Sequence, residues 1–502
     1  MSSPSSRAIR ADAARLASVP ESLAKRFRHA LAAAGFPPSS PEQRDLLERR
    51  ARGGRNLPRL LRLTAAQTPL HTLIRLFSLG APASLASARE ALAPVPLEEW
   101  REAGLVTVDG DRVEALVGLE VFEGLLLAFD RPDLLDAGAE PDHVSGVTGS
   151  TLSLAAFMER RPFDDILDLG TGSGVLAFLA ARAGRRVLAT DVNPRAIQFA
   201  RFHARLNGAA NVEFAVGSAF EPARGRRFDL ILANPPCVIG PVARYAFSDS
   251  GMELDSLCRQ IVAEAPDYLK PGGLFQSTAQ WPNFGGADWR ERLSEWLAGG
   301  RADALALHLQ TTGAPLYAEQ AVGDTAPVDA ATQARMYETY AAYLEERNAT
   351  SISEGLIALR RRGGAGAVWV RLESLTERRA VHFGGAVGEY FAVSDALERM
   401  GGGLLDAKLR VAPSLTVTVS HAWNGRAWEE SYLLRQGAGF EFQAGVDWRI
   451  ANLVRRLDGS RTVGEAIAEL AAAARAPFDA VAPACVEIVQ QMTRQGLLLL
   501  PE

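Results

Sequence analysis

Between residues 150 and 310 short apolar runs alternate with stretches of helical character. The runs at 165–169, 186–190, 212–216, 230–233, 273–277 and 304–310 are each long enough for one strand. Strands covered on both faces read as continuous apolar runs, and helices between them serve as crossovers. The order predicts an α/β fold built on a doubly wound parallel sheet. Residues 311–350 read as a largely helical insertion. Residues 352–375 give two further β runs around Arg361-Arg362-Gly363-Gly364, the pattern of a closing hairpin.

The flanks have a different texture. Residues 22–34 form a helix that ends before the breaker Phe36-Pro37-Pro38-Ser39-Ser40-Pro41, and 42–52 form a second, highly charged helix. Thr68 is an N-cap with Pro69 at the first helical position, and Leu70, Leu73, Ile74 and Phe77 then recur at helical spacing until Gly80-Ala81-Pro82. A helix around 84–92 and two β runs about Asp109-Gly110 follow. Helix, helix, hairpin is the order of a winged-helix unit, which either binds nucleic acid or protein or simply packs domains together. Beyond residue 381 the chain is first β-rich (Leu415-Thr416-Val417-Thr418-Val419) and then helical. Four segments result: a basic helical arm at 1–63, a winged-helix-like domain at 64–145, the sheet domain with its insertion at 146–378, and a mixed β and helical domain at 379–502.

Composition narrows the class. The chain has 502 residues, 47% hydrophobic and 23% charged, as a globular protein of about three domains would. No apolar run approaches the roughly 18 residues of a membrane span, and residues 1–20 lack the apolar core of a signal peptide. Cys237, Cys258 and Cys485 form no Cys-x-x-Cys pair and the seven histidines are scattered, so the expectation is a reducing cytoplasm and no metal site. The net charge is −5, yet residues 1–63 hold 13 basic and 5 acidic side chains, +8 in all. This arm is either a contact for phosphates or acidic surfaces, or a solvated helical face in an arginine-biased chain that has only three lysines.

The candidate chemistry sits at the ends of the predicted strands. In DILDLGTGSGVLAFLAARAG, Asp168 lies near a strand end and Gly170, Thr171, Gly172 and Gly174 form the loop after it. Glycines there let backbone approach a ligand closely. The G-x-G-x-G spacing differs from the dinucleotide fingerprint G-x-G-x-x-G. The next strand runs into Asp191, a carboxylate able to accept both hydroxyl protons of a ribose. The fourth strand runs into Asn234-Pro235-Pro236-Cys237, where two prolines impose a rigid bend that presents the Asn234 side chain and the Pro235 carbonyl as acceptors.

This set resembles the class I S-adenosylmethionine-dependent methyltransferases, and within them the group bearing an N-P-P-[YFW] motif. The resemblance spans roughly 145–310. It implies a Rossmann-like methyltransferase sheet, S-adenosylmethionine as cofactor, a cofactor site of Asp168, Gly170, Thr171, Gly172, Gly174, Asp191, Ser218, Phe220 and Thr151, and a catalytic turn of Asn234, Pro235, Pro236 and Cys237. It further implies methylation of a planar nitrogen, most simply a protein or peptide side-chain amide such as glutamine. An exocyclic amine of an rRNA or DNA base, held by the basic arm, is the alternative, and an inactive cofactor-binding module is a third.

Three departures bear on the substrate. Cys237 stands where the family has an aromatic ring, with Tyr245 and Phe247 as candidates for the missing ring; a nucleophilic cysteine is the other reading, although no histidine is near it in sequence. Ser218 stands where an acid is common after the third strand, leaving adenine to the backbone and Phe220. VSGVTGSTLSLA lacks the usual Pro-Arg-Pro, so Thr148 and Thr151 either line the methionine end or cap the next helix. Tyr245, Ser248 and Asp249 lie in a polar loop that is either a substrate wall or solvent-exposed. The segment 447–500 (DWRIANLVRRLDGSRTVGEAIAEL onward) is similar to small winged-helix domains that bind leader peptides, or is a helical cap.

Overall fold

The computed structural model describes residues 10–37, 57–66, 68–131, 141–241, 251–323, 329–364, 367–375, 383 and 385–501. They fall into two compact units. The first takes in residues 1–155, 162–306 and 310–372; the second takes in 156–161, 307–309 and 373–502.

The first unit opens with α1 (Ala13–Ser18) and α2 (Glu21–Ala33), followed by α3 (Leu57–Leu63) and α4 (Pro69–Leu73), which runs on as a π turn over Ile74–Ser78. The helix expected at 42–52 lies outside the described residues. At α4 the Thr68 hydroxyl accepts from the His71 N–H and Pro69 takes the first position, as the sequence indicates. β1 (Ala83–Ser84), α5 (Leu85–Leu92), α6 (Leu97–Glu102), β2 (Val106–Asp109) and β3 (Arg112–Ala115) follow, with an antiparallel sheet in the order β1-β3-β2. β4 (Val117–Phe122) and β5 (Leu125–Asp130) pair as a separate hairpin.

The chain then gives α7 (Gly149–Phe157), β6 (Phe163–Leu169), α8 (Val175–Ala181), β7 (Gly184–Asp191), α9 (Pro194–Asn207), β8 (Val212–Val216) and β9 (Phe228–Ala233). After these come α10 (Ser256–Tyr268), β10 (Leu269–Phe284), α11 (Trp289–Leu297), β11 (Asp303–Gly313), α12 (Ala314–Gly323), α13 (Ala330–Glu346), β12 (Ala349–Arg360) and β13 (Val370–Ser374). The eight strands order as β13-β11-β12-β10-β9-β6-β7-β8. From β8 through β10 neighbours are parallel, and β12 runs antiparallel to β10. The fold is thus an α/β Rossmann-like sheet whose strand order reverses at β6, the place where open sheets of this kind bind ligands.

The hairpin expected over 352–375 does not form, because β11 lies between β12 and β13. Buried Asp303, at the start of β11, is the physical reason. Its carboxylate takes Arg360 (2.7 Å), Arg362 (2.7 Å) and the Trp369 N–H (3.3 Å), which anchors both ends of the connection to β11.

α9 is joined to the N-terminal helices by one apolar core. Phe199 and Phe202 share it with Leu16, Phe27, Leu31, Trp100 and Leu126. At its centre His203 is wholly buried; its Nδ1–H donates to the Ser173 carbonyl (2.7 Å) and its Nε2 accepts from the Ala128 N–H (2.8 Å). These partners fix the neutral tautomer, and burial pushes the imidazole down to about 4. His203 therefore ties β5 to the loop that follows β6.

The second unit contains α14 (Ala386–Met400), the antiparallel sheet of β15 (Thr416–Trp423), β16 (Trp428–Arg435) and β17 (Gln443–Val446), and α15 (Trp448–Arg456), α16 (Val463–Ala473) and α17 (Phe478–Arg494). β14 (Arg410–Val411) pairs with β18 (Leu498–Leu499). Thr462 and Glu465 form a capping box on α16, and Leu453, Val454, Leu457, Ile467 and Val489 fill the core. No described helix is long and apolar enough to cross a membrane.

Replacing His203 by Phe keeps the ring but strands a buried N–H and a buried carbonyl, each worth about 1–3 kcal/mol when left unpaired. Denaturant unfolding should show a loss of about 2–5 kcal/mol; an unchanged midpoint would contradict this role.

Candidate active site

Register decides what meets at the strand ends. Leu169 lies opposite both Thr190 and Ala233, and Ala233 lies opposite Ser277. The residues that follow, Asp191, Gly170, Asn234 and Thr278, therefore stand at one level on four neighbouring strands.

The loop after β6 is shaped by glycine. Gly170 (φ +70°) and Gly172 (φ +54°) hold left-handed backbone, and a Cβ on either would meet nothing within 4 Å, so both face an open cradle. Gly174 (φ +91°) packs so closely that a Cβ would sit 2.4 Å from the Phe178 ring. Behind the loop Asp168 is fully buried. Its Oδ2 accepts from the Thr171 hydroxyl (2.6 Å) and the Ala177 N–H (2.9 Å), while its Oδ1 is buried with no donor among the described residues. Burial raises this carboxyl to about 7, and the nearby charge of Asp191 adds to the effect. A lone buried acceptor beside an open glycine cradle fits a cationic ligand with close backbone approach.

Asp191 accepts from the Gly172 N–H through Oδ2 and from the Asn193 N–H through Oδ1, both at 2.8 Å. Burial pushes its pKa up. Each oxygen keeps a second lone pair, enough for the two hydroxyls of a ribose. Val192 and Val216, at the tips of adjacent strands, are 60% and 52% exposed. Nothing in the sequence alone marks them; exposed apolar side chains beside the Asp191 carboxylate are walls suited to a flat ring. Ser218 is exposed, but Phe220 is only 2% exposed and stacks on Tyr268 (4.3 Å, 10°), so its ring has no face left for adenine.

At the end of β9 the Asn234 amide is gripped from two sides. Oδ1 accepts from the Thr278 hydroxyl (2.7 Å) and Nδ2 donates to Thr151 Oγ1 (3.3 Å). Thr151 is bonded in turn to Thr148 (2.9 Å) ahead of the cofactor loop, and the Thr148 hydroxyl also accepts from the Thr151 N–H (3.3 Å). Pro235 is buried and Pro236 half-buried. No donor among the described residues reaches the Pro235 carbonyl. Cys237 packs against the core formed by α10, β10 and α11. Burial, with Glu354 nearby, pushes its thiol up to about 12, the reverse of what a thiolate nucleophile needs.

The insertion braces the segment after this turn. The Tyr317 hydroxyl of α12 accepts from the Ile239 N–H (2.8 Å) and donates to Gln280 Oε1 of β10 (2.8 Å). Tyr340 of α13 lies so close to Gly240 that a Cβ there would be 2.5 Å from its ring. Tyr245, Phe247, Ser248 and Asp249 lie outside the described residues.

Residues 163–312 match a family model described as a methyltransferase domain. This part of the chain is a class I S-adenosylmethionine-dependent methyltransferase domain. Residues 50–116 and 388–500 match two models described as domains of unknown function. A putative protein N5-glutamine methyltransferase of Methanocaldococcus jannaschii is 33% identical over 120 residues, covering 22% of this chain and 59% of that protein. A release factor glutamine methyltransferase of Xylella fastidiosa is 37% identical over 136 residues, covering 24% and 48%. A ribosomal RNA small subunit methyltransferase C of Alcanivorax borkumensis is 33% identical over 109 residues, covering 22% and 30%. The chain thus spans about half or less of the length of most of these relatives.

S-adenosylmethionine carries positive charge, so it should bind best when Asp168 is ionised. Since burial holds that carboxyl near 7, affinity measured by calorimetry should climb between pH 6 and pH 8, and Asp168→Asn should flatten the climb. A wild-type affinity that ignores pH in this window would contradict the assignment.

Proposed function

We propose that this chain transfers the methyl group of S-adenosylmethionine to the side-chain amide nitrogen of a glutamine in a protein or peptide. The observation that carries the reading is the Asn234-Pro235-Pro236 turn, held rigidly beside the glycine cradle. The names of the glutamine methyltransferases to which the domain is similar support it.

Gly170, Gly172, Asp168 and Asp191 would hold the cofactor, with Val192 and Val216 flanking its ring. Bound S-adenosylmethionine supplies an electrophilic methyl on a positively charged sulfur. An amide nitrogen is a weak nucleophile because its lone pair is delocalised into the carbonyl. Asn234 Oδ1, through the lone pair that Thr278 leaves, and the Pro235 carbonyl accept one N–H each. Two acceptors placed this way favour pyramidal nitrogen and turn its lone pair toward the cradle. The fixed φ of Pro235 and Pro236 keeps the acceptors in place without reorganisation. The nitrogen lone pair would form the new C–N bond as the C–S bond breaks with its electron pair going to sulfur, and one of the two N–H protons would then pass to water. The rate gain comes from position and fixed dipoles, with no covalent intermediate on Cys237.

A nucleic-acid substrate is the second reading, and the ribosomal RNA enzyme among the relatives favours it. Two observations weigh toward protein. In the basic arm Arg10 binds Asp130 and Asp142, Arg26 binds Glu99, and Arg28 reaches Asn207 and the Gly124 carbonyl, so these cations already have partners inside the chain. Polynucleotide binding draws on a broad basic surface, whereas this chain carries −5 overall. In addition, a base stacked on an aromatic ring gains about 1–3 kcal/mol, which Cys237 does not offer.

Labelled methyl from S-adenosylmethionine should enter a cell lysate in a form that survives nuclease and is lost to protease. Asn234→Ala should retain cofactor affinity while transfer falls by about 100-fold or more. Label removed by ribonuclease would move the assignment to RNA, and equal loss of binding and transfer would make Asn234 structural.

A further inference from the structure

We propose that Thr278 is a positioning residue of this methyl transfer, setting which face of the Asn234 amide meets the substrate; the inference rests on the reading above. Thr278 is 6% exposed and lies on β10 one residue beyond the Ser277–Ala233 pair, so the strand register brings it beside Asn234. Its contact of 2.7 Å is the length of an O–H···O bond, and the 3.3 Å contact to Thr151 suits a longer N–H···O bond. The amide is therefore oriented with its oxygen toward β10 and its NH2 toward α7. A carbonyl oxygen has two in-plane lone pairs. Thr278 occupies one and leaves a single, fixed direction for a substrate N–H.

β10 makes the same provision two residues on. Side chains at alternate strand positions share a face, so Gln280 stands beside Thr278. Gln280 accepts from Tyr317, which in turn holds the Ile239 N–H. One face of one strand thus braces the catalytic turn at Asn234 directly and at Ile239 through the insertion. Without Thr278 the amide loses its only partner on that side among the described residues and is free to turn its NH2 toward β10, which would present a donor where the reaction needs an acceptor.

The test compares Thr278→Val, close in shape but without the hydroxyl, with Thr278→Ser, which restores it, in the full chain. Initial rates of labelled methyl transfer into a protease-sensitive lysate fraction would be read beside the apparent KM for S-adenosylmethionine, the affinity for S-adenosylhomocysteine and the melting temperature. The expected result is a rate loss of roughly 10- to 100-fold in Thr278→Val with cofactor KM and affinity unchanged, and recovery to within a few-fold in Thr278→Ser. The Asn234 side-chain NH2 signals in an amide spectrum, assigned by their disappearance in Asn234→Ala, should shift in Thr278→Val and return in Thr278→Ser. Full activity in Thr278→Val beside an inactive Asn234→Ala would overturn this proposal alone. A rate loss that tracks a fall in cofactor affinity or melting temperature, or that Ser fails to recover, would also overturn it in favour of a packing role. A fully active Asn234→Ala, or no label from the wild type, would overturn both the methyl-transfer reading and the role of Thr278.

Discussion

Everything at the site depends on the register of four neighbouring parallel strands. Strands lie about 4.8 Å apart and successive residues advance about 3.3 Å, so a slip of one residue in any pairing would turn the terminal side chain to the opposite face. With Leu169 facing Thr190 and Ala233, and Ala233 facing Ser277, the Asp191 carboxylate, the glycine cradle, the Asn234 amide and its brace arrive in one row. Apolar residues in one row across these strands, Leu167, Leu188, Ile231 and Phe275, are essentially buried in one core and hold that register. The chemistry is then a consequence of which residue each strand carries one step past the row of Leu169.

The surroundings keep the row from relaxing. On the cofactor side His203 fastens the Ser173 carbonyl to β5, so the N-terminal elements and the cofactor loop share a buried polar link. On the substrate side Tyr317 and Tyr340, both from the insertion, hold the chain that follows Cys237. The absence of a ring at position 237 goes together with a heavily built support behind it. Half-buried Cys237 packs against the core, where desolvation pushes its thiol up.

Much of this could be read from residue order, for reasons that are themselves physical. Strands buried on both faces must be apolar throughout, so all six predicted runs became strands, with ends extended by a few residues where flanking pairs continue the ladder. Glycines and prolines constrain backbone locally, which is why the Gly170–Gly174 loop and the Asn234-Pro235-Pro236 turn stand out without any three-dimensional knowledge. Contacts that depend on distant register left no trace. Nothing in the sequence marks Thr278 as a neighbour of Asn234, or Tyr317 as the partner of Ile239, since those pairs are made by sheet order. The failed hairpin over 352–375 has the same origin: its local turn signal was outweighed by a buried carboxylate at Asp303, some 60 residues away. Phe220 looked suited to adenine by position, yet packing against Tyr268 claimed it. Val192 and Val216 carried a signal only once their exposure was known.

The central claim is that the methyl acceptor is an amide nitrogen. The most direct measurement is acid hydrolysis of protein labelled by this enzyme, followed by distillation from alkali. A methyl carried on an amide nitrogen leaves with that nitrogen as volatile methylamine, so the label should distil as methylamine. Label that stays behind, on a non-volatile amino acid or on a nucleobase, would contradict it.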